Sequence, residues 1–173
     1  MKKNEFLDKG NERLREALNL VTNGNERQGL QMIEDFLVEH QSNPAAHRAK
    51  AMALAAQGDY ARAIESMGVA IDLNTEVAPS HYLELGEYLL ETGSFLEAYD
   101  ALTSAIDLVA ESQDAYCLTS AQIARAVASF KVNRPDLVRI DLETLSDDVS
   151  TYCAGEVWTK KKLIESLGKL RNV

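Results

Sequence analysis

The sequence predicts an all-α protein built from repeated helix pairs, and three observations carry that prediction. Only three prolines and nine glycines interrupt 173 residues that are rich in Ala, Leu and Glu, a composition that favours helix over sheet. The stretch AAQGDYARAIESMGVAIDL at 55–73 is nearly repeated by LETGSFLEAYDALTSAIDL at 90–108. Upstream of each repeat glycine, small and apolar residues recur at helical spacing, which places them on one helix face.

Each element follows in order. Aligning the two stretches sets Gly58 on Gly93, Tyr60 on Phe95, Ala63 on Ala98, Met67 on Leu102 and Ala70 on Ala105. A third, looser copy begins at Gly24, with Gly29, Ile33 and Phe36 in the equivalent places. The preceding helices show Ala17 and Leu20, then His47, Ala51 and Leu54, then Tyr82, Leu85, Gly86 and Leu89. Each unit is therefore helix, glycine turn, helix, over residues 10–43, 44–78 and 79–112. Asn43 before Pro44 and Ala78 before Pro79 open the second and third units, because proline suits the first helical position. Asn25, Asp59 and Ser94 are candidate caps for the second helices, and Ser94 with Glu97 has the spacing of a capping box.

Beyond residue 112 the repeat fades but helicity persists. AYCLTSAQIARAVASFKV, with Cys117, Ala121, Ala124 and Ala128 on one side, and PDLVRIDLETL after it read as a fourth, degenerate pair. STYCAGEVWT is rich in β-branched and aromatic residues around Gly155, which predicts an extended or turned segment. The alternative is one long helix from Asp147. Thr159 then caps a last helix with Leu163, Ile164, Leu167 and Leu170 on one side. Its first turn holds Lys160, Lys161 and Lys162, where the helix dipole disfavours them. The predicted organisation is one repeat domain over 1–145, with 146–173 packed on it as an extended segment and capping helix.

The period of 34–35 residues and the run Y-x2-L-G-x2-L followed by A-x3-L, from Tyr82 to Leu102, resemble the tetratricopeptide repeat. The resemblance spans three copies. The first departs by carrying Arg13 and Glu16 where large apolar residues are usual and Gly29 where alanine is usual. It implies a right-handed α-α superhelix, a solenoid in which the first helix of each pair lines a concave surface. The physical basis is close approach: Ala51, Ala63, Ala70, Gly86, Ala98 and Ala105 let paired helices meet, while Leu54, Met67, Leu89 and Leu102 fill the remaining space.

Charge narrows the function. The chain carries 27 acids against 18 bases, a net charge of −9. From Ala63 to Ala124 there is no Lys or Arg, against eleven acids: Glu65, Asp72, Glu76, Glu84, Glu87, Glu91, Glu97, Asp100, Asp107, Glu111 and Asp114. Such a surface repels phosphate backbones and attracts basic proteins, so nucleic acid is not an expected partner. No apolar run reaches the length of a membrane span, and the basic start MKKNEF lacks the apolar core of a signal peptide. A cytoplasmic location is expected. Cys117 and Cys153 lack any metal or disulfide spacing and read as buried thiols. His40, His47 and His81 share no ligand spacing, and no phosphate loop or nucleophile elbow is present. No catalytic residue, metal or cofactor is expected.

What remains is protein binding. The first-helix residues that face away from the packing set are Leu14, Leu18 and Val21, then Arg48, Met52 and Ala55, then Leu83, Glu87 and Leu90. The candidate groove is Arg48, Met52, Leu83, Glu87, Leu90 and Glu91. A mainly apolar stripe of this kind suits an amphipathic helix or extended peptide. Many cochaperones with this repeat grip a C-terminal carboxylate through Lys, Arg and Asn, and only Arg48 has the charge for that. Small size and three repeats are also similar to chaperones of type III secretion translocators, though the Trp-containing tail has no counterpart in that resemblance. The leading expectation is an adaptor or chaperone of unknown oligomeric state. The competing one is an inhibitor or immunity-type protein whose acidic middle masks a basic partner. A further alternative is that the chain's own C-terminal segment, with Trp158, covers the groove.

Overall fold

The computed structural model describes the backbone of residues 2–112 and 115–170 and the side chains of 12–109 and 117–169. The side chains of Glu111, Asp114 and Leu170, named above, lie outside that range. The described elements are α1 (Lys2–Thr22), α2 (Glu26–Glu39), α3 (Pro44–Ala56), α4 (Tyr60–Leu73), α5 (Pro79–Glu91), α6 (Phe95–Ser112), α7 (Ala115–Lys131), α8 (Pro135–Thr144), β1 (Ser150–Cys153), β2 (Glu156–Thr159) and α9 (Lys160–Leu170). They gather into two compact units, Met1–Val77 and Ala78–Val173. The segment after residue 145 falls in the second unit with α5–α8. The reason is that this segment packs mainly on α7.

The first unit is two helix pairs. Gly24 and Gly58 turn the chain at φ +82° and +76°, a left-handed conformation that costs glycine nothing and a side-chain-bearing residue about 1–2 kcal/mol. Leu14, Ala17, Val21, Ile33, Phe36, Leu37, Ala46, Ala49 and Ala53 form its core. Gly29 replaces the usual alanine for a visible reason. A Cβ there would lie 2.5 Å from the Ala17 carbonyl oxygen and 2.6 Å from Val21 Cγ2, so α1 and α2 approach more closely than alanine allows. Asn43 Oδ1 accepts from the Ala46 N–H at 3.0 Å and Asp59 Oδ1 from the Arg62 N–H at 3.3 Å. Asn25 stands at the cap of α2 without a side-chain bond. Arg13 and Glu16 are exposed, as expected of a terminal repeat.

The second unit repeats this plan and then departs from it. Gly93 turns at φ +78°, and a Cβ on Gly86 would lie 2.5 Å from Leu102 Cγ. Ala98, Leu102 and Ala105 are fully buried. The fourth pair has no glycine in its turn. Asn133 takes the left-handed position at φ +58° instead, a role asparagine tolerates better than most residues. α7 is buried on nearly every side, Cys117, Ala121, Ile123, Ala124, Ala126, Val127, Ala128 and Ser129 included, because α5, α6, α8, α9 and the hairpin all pack on it.

The extended segment is an antiparallel hairpin in which Thr151 faces Trp158 and Tyr152 faces Val157. Ala154 and Gly155 form its two-residue turn with φ +52° and +77°, the mirror-image geometry that matches strand twist. Thr159 Oγ1 then caps α9 by accepting from the Lys162 N–H at 3.1 Å. Two of the three lysines avoid the helix dipole in part by reaching backwards, while Lys161 pairs forward with Glu165. Lys160 Nζ donates to the Leu145 carbonyl at 2.6 Å and pairs with Asp147 at 3.1 Å; Lys162 Nζ pairs with Glu156 and donates to the Val157 carbonyl. Leu163 and Leu167 are buried, but Ile164 is 51% exposed, so it does not share the buried face expected of it.

Candidate functional site

The candidate groove residues fall on two elements. In the first unit, Arg48 and Met52 lie one turn apart on α3 and are half-buried, as is Ala55. α3 packs beside α1, whose Leu18 is also half-buried while Leu14 and Val21 sink into the core. Leu18 packs at the edge of the core, so Met52 and Leu18 each keep only part of their surface open. Lys50 on the same helix is occupied elsewhere, pairing with Glu34 at 3.2 Å.

In the second unit the expected roles separate. Leu83 and Leu90 are 7% and 1% exposed. Both are core residues, a correction to the expectation that they form open contact area. Periodicity marked them as apolar at helical spacing but could not say that α7 and the hairpin would pack on the same helix. Glu87 and Glu91 stay half-exposed. Burial, then the charges of Glu84 and Glu91, push the Glu87 carboxyl up from 4.5 to about 7.

The neighbour of these carboxylates is the hairpin. β1 packs on both α5 and α7, and β2 on α7. Cys153 of β1 is 1% exposed, and burial followed by the charges of Glu91 and Glu87 drives its thiol up to about 12. A thiol so placed is a packing residue and not a nucleophile at neutral pH. Trp158 is buried too. Its ring lies 5.5 Å from Phe130 and carries Lys131 Nζ at 5.2 Å and Lys162 Nζ at 4.4 Å, an arrangement attractive to cations. Both ammonium groups also reach Glu156.

Sequence reasoning missed one buried charged cluster. Arg125 on α7 grips Asp141 on α8 with two hydrogen bonds, Nη2 to Oδ1 at 2.6 Å and Nε to Oδ2 at 3.1 Å. Its Nη1 donates to Thr103 Oγ1 of α6 at 3.2 Å, and the guanidinium lies 5.6 Å from the Tyr99 ring. Burial alone would lower Arg125, but the hydrogen bond and charge of Asp141 outweigh it and hold the guanidinium above its ordinary value. The available signal was position: Arg125 is the first base after the long acidic stretch.

The acids of that stretch face outward on the second helices. Glu65 and Asp72 on α4 and Glu97, Asp100 and Asp107 on α6 are all exposed. His81 is buried, with Nδ1 3.2 Å from the Ala78 carbonyl oxygen, and His47 Nε2 lies 2.7 Å from the Gln41 carbonyl oxygen. Both are engaged with backbone. Among the described residues no group of three His, Cys, Asp or Glu side chains is placed to hold a metal ion. No helix among them is long and apolar enough to cross a membrane.

A tetratricopeptide repeat family model matches residues 14–75 and again 56–115. The chain belongs to the tetratricopeptide repeat family. Solved structures agree on the fold. MamA superposes with TM-score 0.67 at 17% identity, covering 95% of this chain and 81% of its own. The Yersinia enterocolitica type III secretion translocator chaperone SycD gives 0.66 at 19%, covering 73% and 87%. Pseudomonas aeruginosa pilF gives 0.66 at 18%, covering 78% and 58%. No curated protein sequence matches the chain. This tetratricopeptide repeat protein is thus an all-α solenoid of the TPR class, to which its own hairpin adds a small sheet.

Proposed function

We propose that this protein is an interaction module of adaptor or chaperone type, which holds a peptide or amphipathic helix of another protein against its first-helix faces. The observation that carries the reading is that apolar residues of two first helices that pack together, Leu18 on α1 and Met52 on α3, stay half-exposed. Such a face supplies apolar anchoring area, which is how grooves receive helices and extended peptides. The family membership supports a protein partner, and the chaperone named among the structural neighbours supports the class. The reading assigns no chemistry to the protein and places it in the cytosol.

A second reading rests on the exposed acids of α4 and α6, which would attract a basic protein. The two separate by salt, since charge masking weakens steeply with ionic strength and apolar packing does not. The test is affinity capture of partners by the wild-type protein and by Met52→Asp, at low and high salt. Met52 is only half-buried, so the variant is expected to fold. A groove partner survives high salt and binds the variant more weakly by about 1–3 kcal/mol. A partner that leaves in salt and ignores Met52→Asp would sink the groove reading in favour of masking.

A further inference from the structure

The second unit keeps an open groove at its last helices. α9 packs on α7, β2 and α8, and between α8 and α9 lies a groove of about 490 Å³. Its walls are Leu142 of α8 with Ile164, Leu167 and Gly168 of α9, and Arg139 and Glu143 line its α8 side. All of these residues lie beyond residue 115, where the family match stops. Leu142 and Leu167 are rooted in the core, whereas Ile164 leaves 51% of its surface open. Gly168 follows Ile164 by one helical turn, and a Cβ there would meet nothing within 4 Å. Glycine weakens a helix, and no close packing within the chain asks for it at this position. Its effect is to leave the α9 backbone bare beside an exposed isoleucine.

The charges around Ile164 say what can approach. Arg139, Lys160 and Lys161 stand there with Glu143, Asp147 and Glu165, three bases and three acids in a chain of net charge −9. A strongly basic or acidic partner gains nothing at a balanced rim, while another copy of so acidic a chain escapes its general repulsion at such a patch. Lys160 already pairs with Asp147 and Lys161 with Glu165. Arg139 and Glu143, one turn apart on α8, have no ion-pair partner among the described residues.

We propose that the α8–α9 groove is the interface of a two-fold homodimer, in which Ile164 packs across the axis and Arg139 of each copy pairs with Glu143 of the other. A two-fold axis beside α8 runs the two α8 helices antiparallel, which sets position 139 of one copy opposite position 143 of the second and the reverse. One contact thus answers both unmatched charges twice. It uses none of the residues of the adaptor reading, so the two fail independently.

The experiment is sedimentation equilibrium of the full chain up to about 100 μM, where the wild type is expected to approach the mass of two chains. Ile164→Asp is expected to weaken the dimer about tenfold or more. Arg139→Glu and Glu143→Arg each set like charges opposite one another twice and are expected to weaken it similarly, while an equimolar mixture of these two variants restores association, because every acid then meets a base. Leu96→Asp, on the 66% exposed site of α6, is expected to leave the dimer intact. Arg139 and Glu143 are exposed, so the mixing result stands even if Ile164→Asp fails to fold by far-UV circular dichroism. A wild type that stays monomeric throughout overturns the proposal and leaves the groove to a helix of another protein. A dimer that folded Ile164→Asp leaves intact, or a mixture no tighter than its two components, also overturns it by placing the interface elsewhere.

Discussion

At the scale of single residues, the closest approaches in the molecule depend on missing atoms. Gly29 and Gly86 sit where a Cβ would press on the neighbouring helix of the pair, but their neighbours differ. At Gly86 the obstacle is the Leu102 side chain, which has rotamers to give; at Gly29 it includes the Ala17 carbonyl oxygen, which moves only with its helix. Gly29→Ala is therefore expected to cost about 1–3 kcal/mol through forced backbone shifts, and Gly86→Ala less. Chemical denaturation of the two variants checks the order, and equal stability for Gly29→Ala and wild type would contradict the close approach. Gly29 was visible in the sequence only as a departure from the repeat. The small residues that keep to the pattern, from Ala51 to Ala105, were legible because the same spacing recurs in two clear copies. Leu83 and Leu90 were not, because what packs on a helix depends on segments far along the chain.

At the scale of elements, the hairpin and the fourth helix pair show where local signals end. Thr159, Pro135 and the strand-forming residues of 150–159 announced a cap, a helix start and an extended segment, and all three are present. The hairpin register was beyond reach, since Ala-Gly is not a common turn pair for this geometry. Ala154 sits at φ +52°, where a residue with a Cβ is strained. Ala154→Asn should relax that strain, since asparagine before glycine is the preferred pair for such turns. It is expected to raise stability by about 0.5–1 kcal/mol and to increase amide protection across 150–159. A lower melting temperature would argue against the turn as described.

At the scale of the whole molecule, the repeat explains α1 to α6, while the chain after residue 115 is organised by contacts that no repeat supplies. α7 is central to the second unit, and the Arg125 to Asp141 pair ties it to α8, with Thr103 adding α6. Removing one partner leaves a buried charge unmatched. Asp141→Ala is expected to cost about 3–5 kcal/mol, whereas Arg125→Met with Asp141→Leu together should recover much of that loss. Thermal unfolding of the single and double variants checks this; additive losses would mean that the pair acts as two unrelated packing residues. The same clamp sets the smallest piece of the chain that can stand alone. A cut at residue 115, where the family likeness stops, would strip α6 of the helix that covers it. A cut between 125 and 141 would leave a guanidinium indoors without its counter-ion. The recognisable repeats are thus shorter than the folding unit that contains them, and a fragment intended to carry the α5 surface has to run past Asp141.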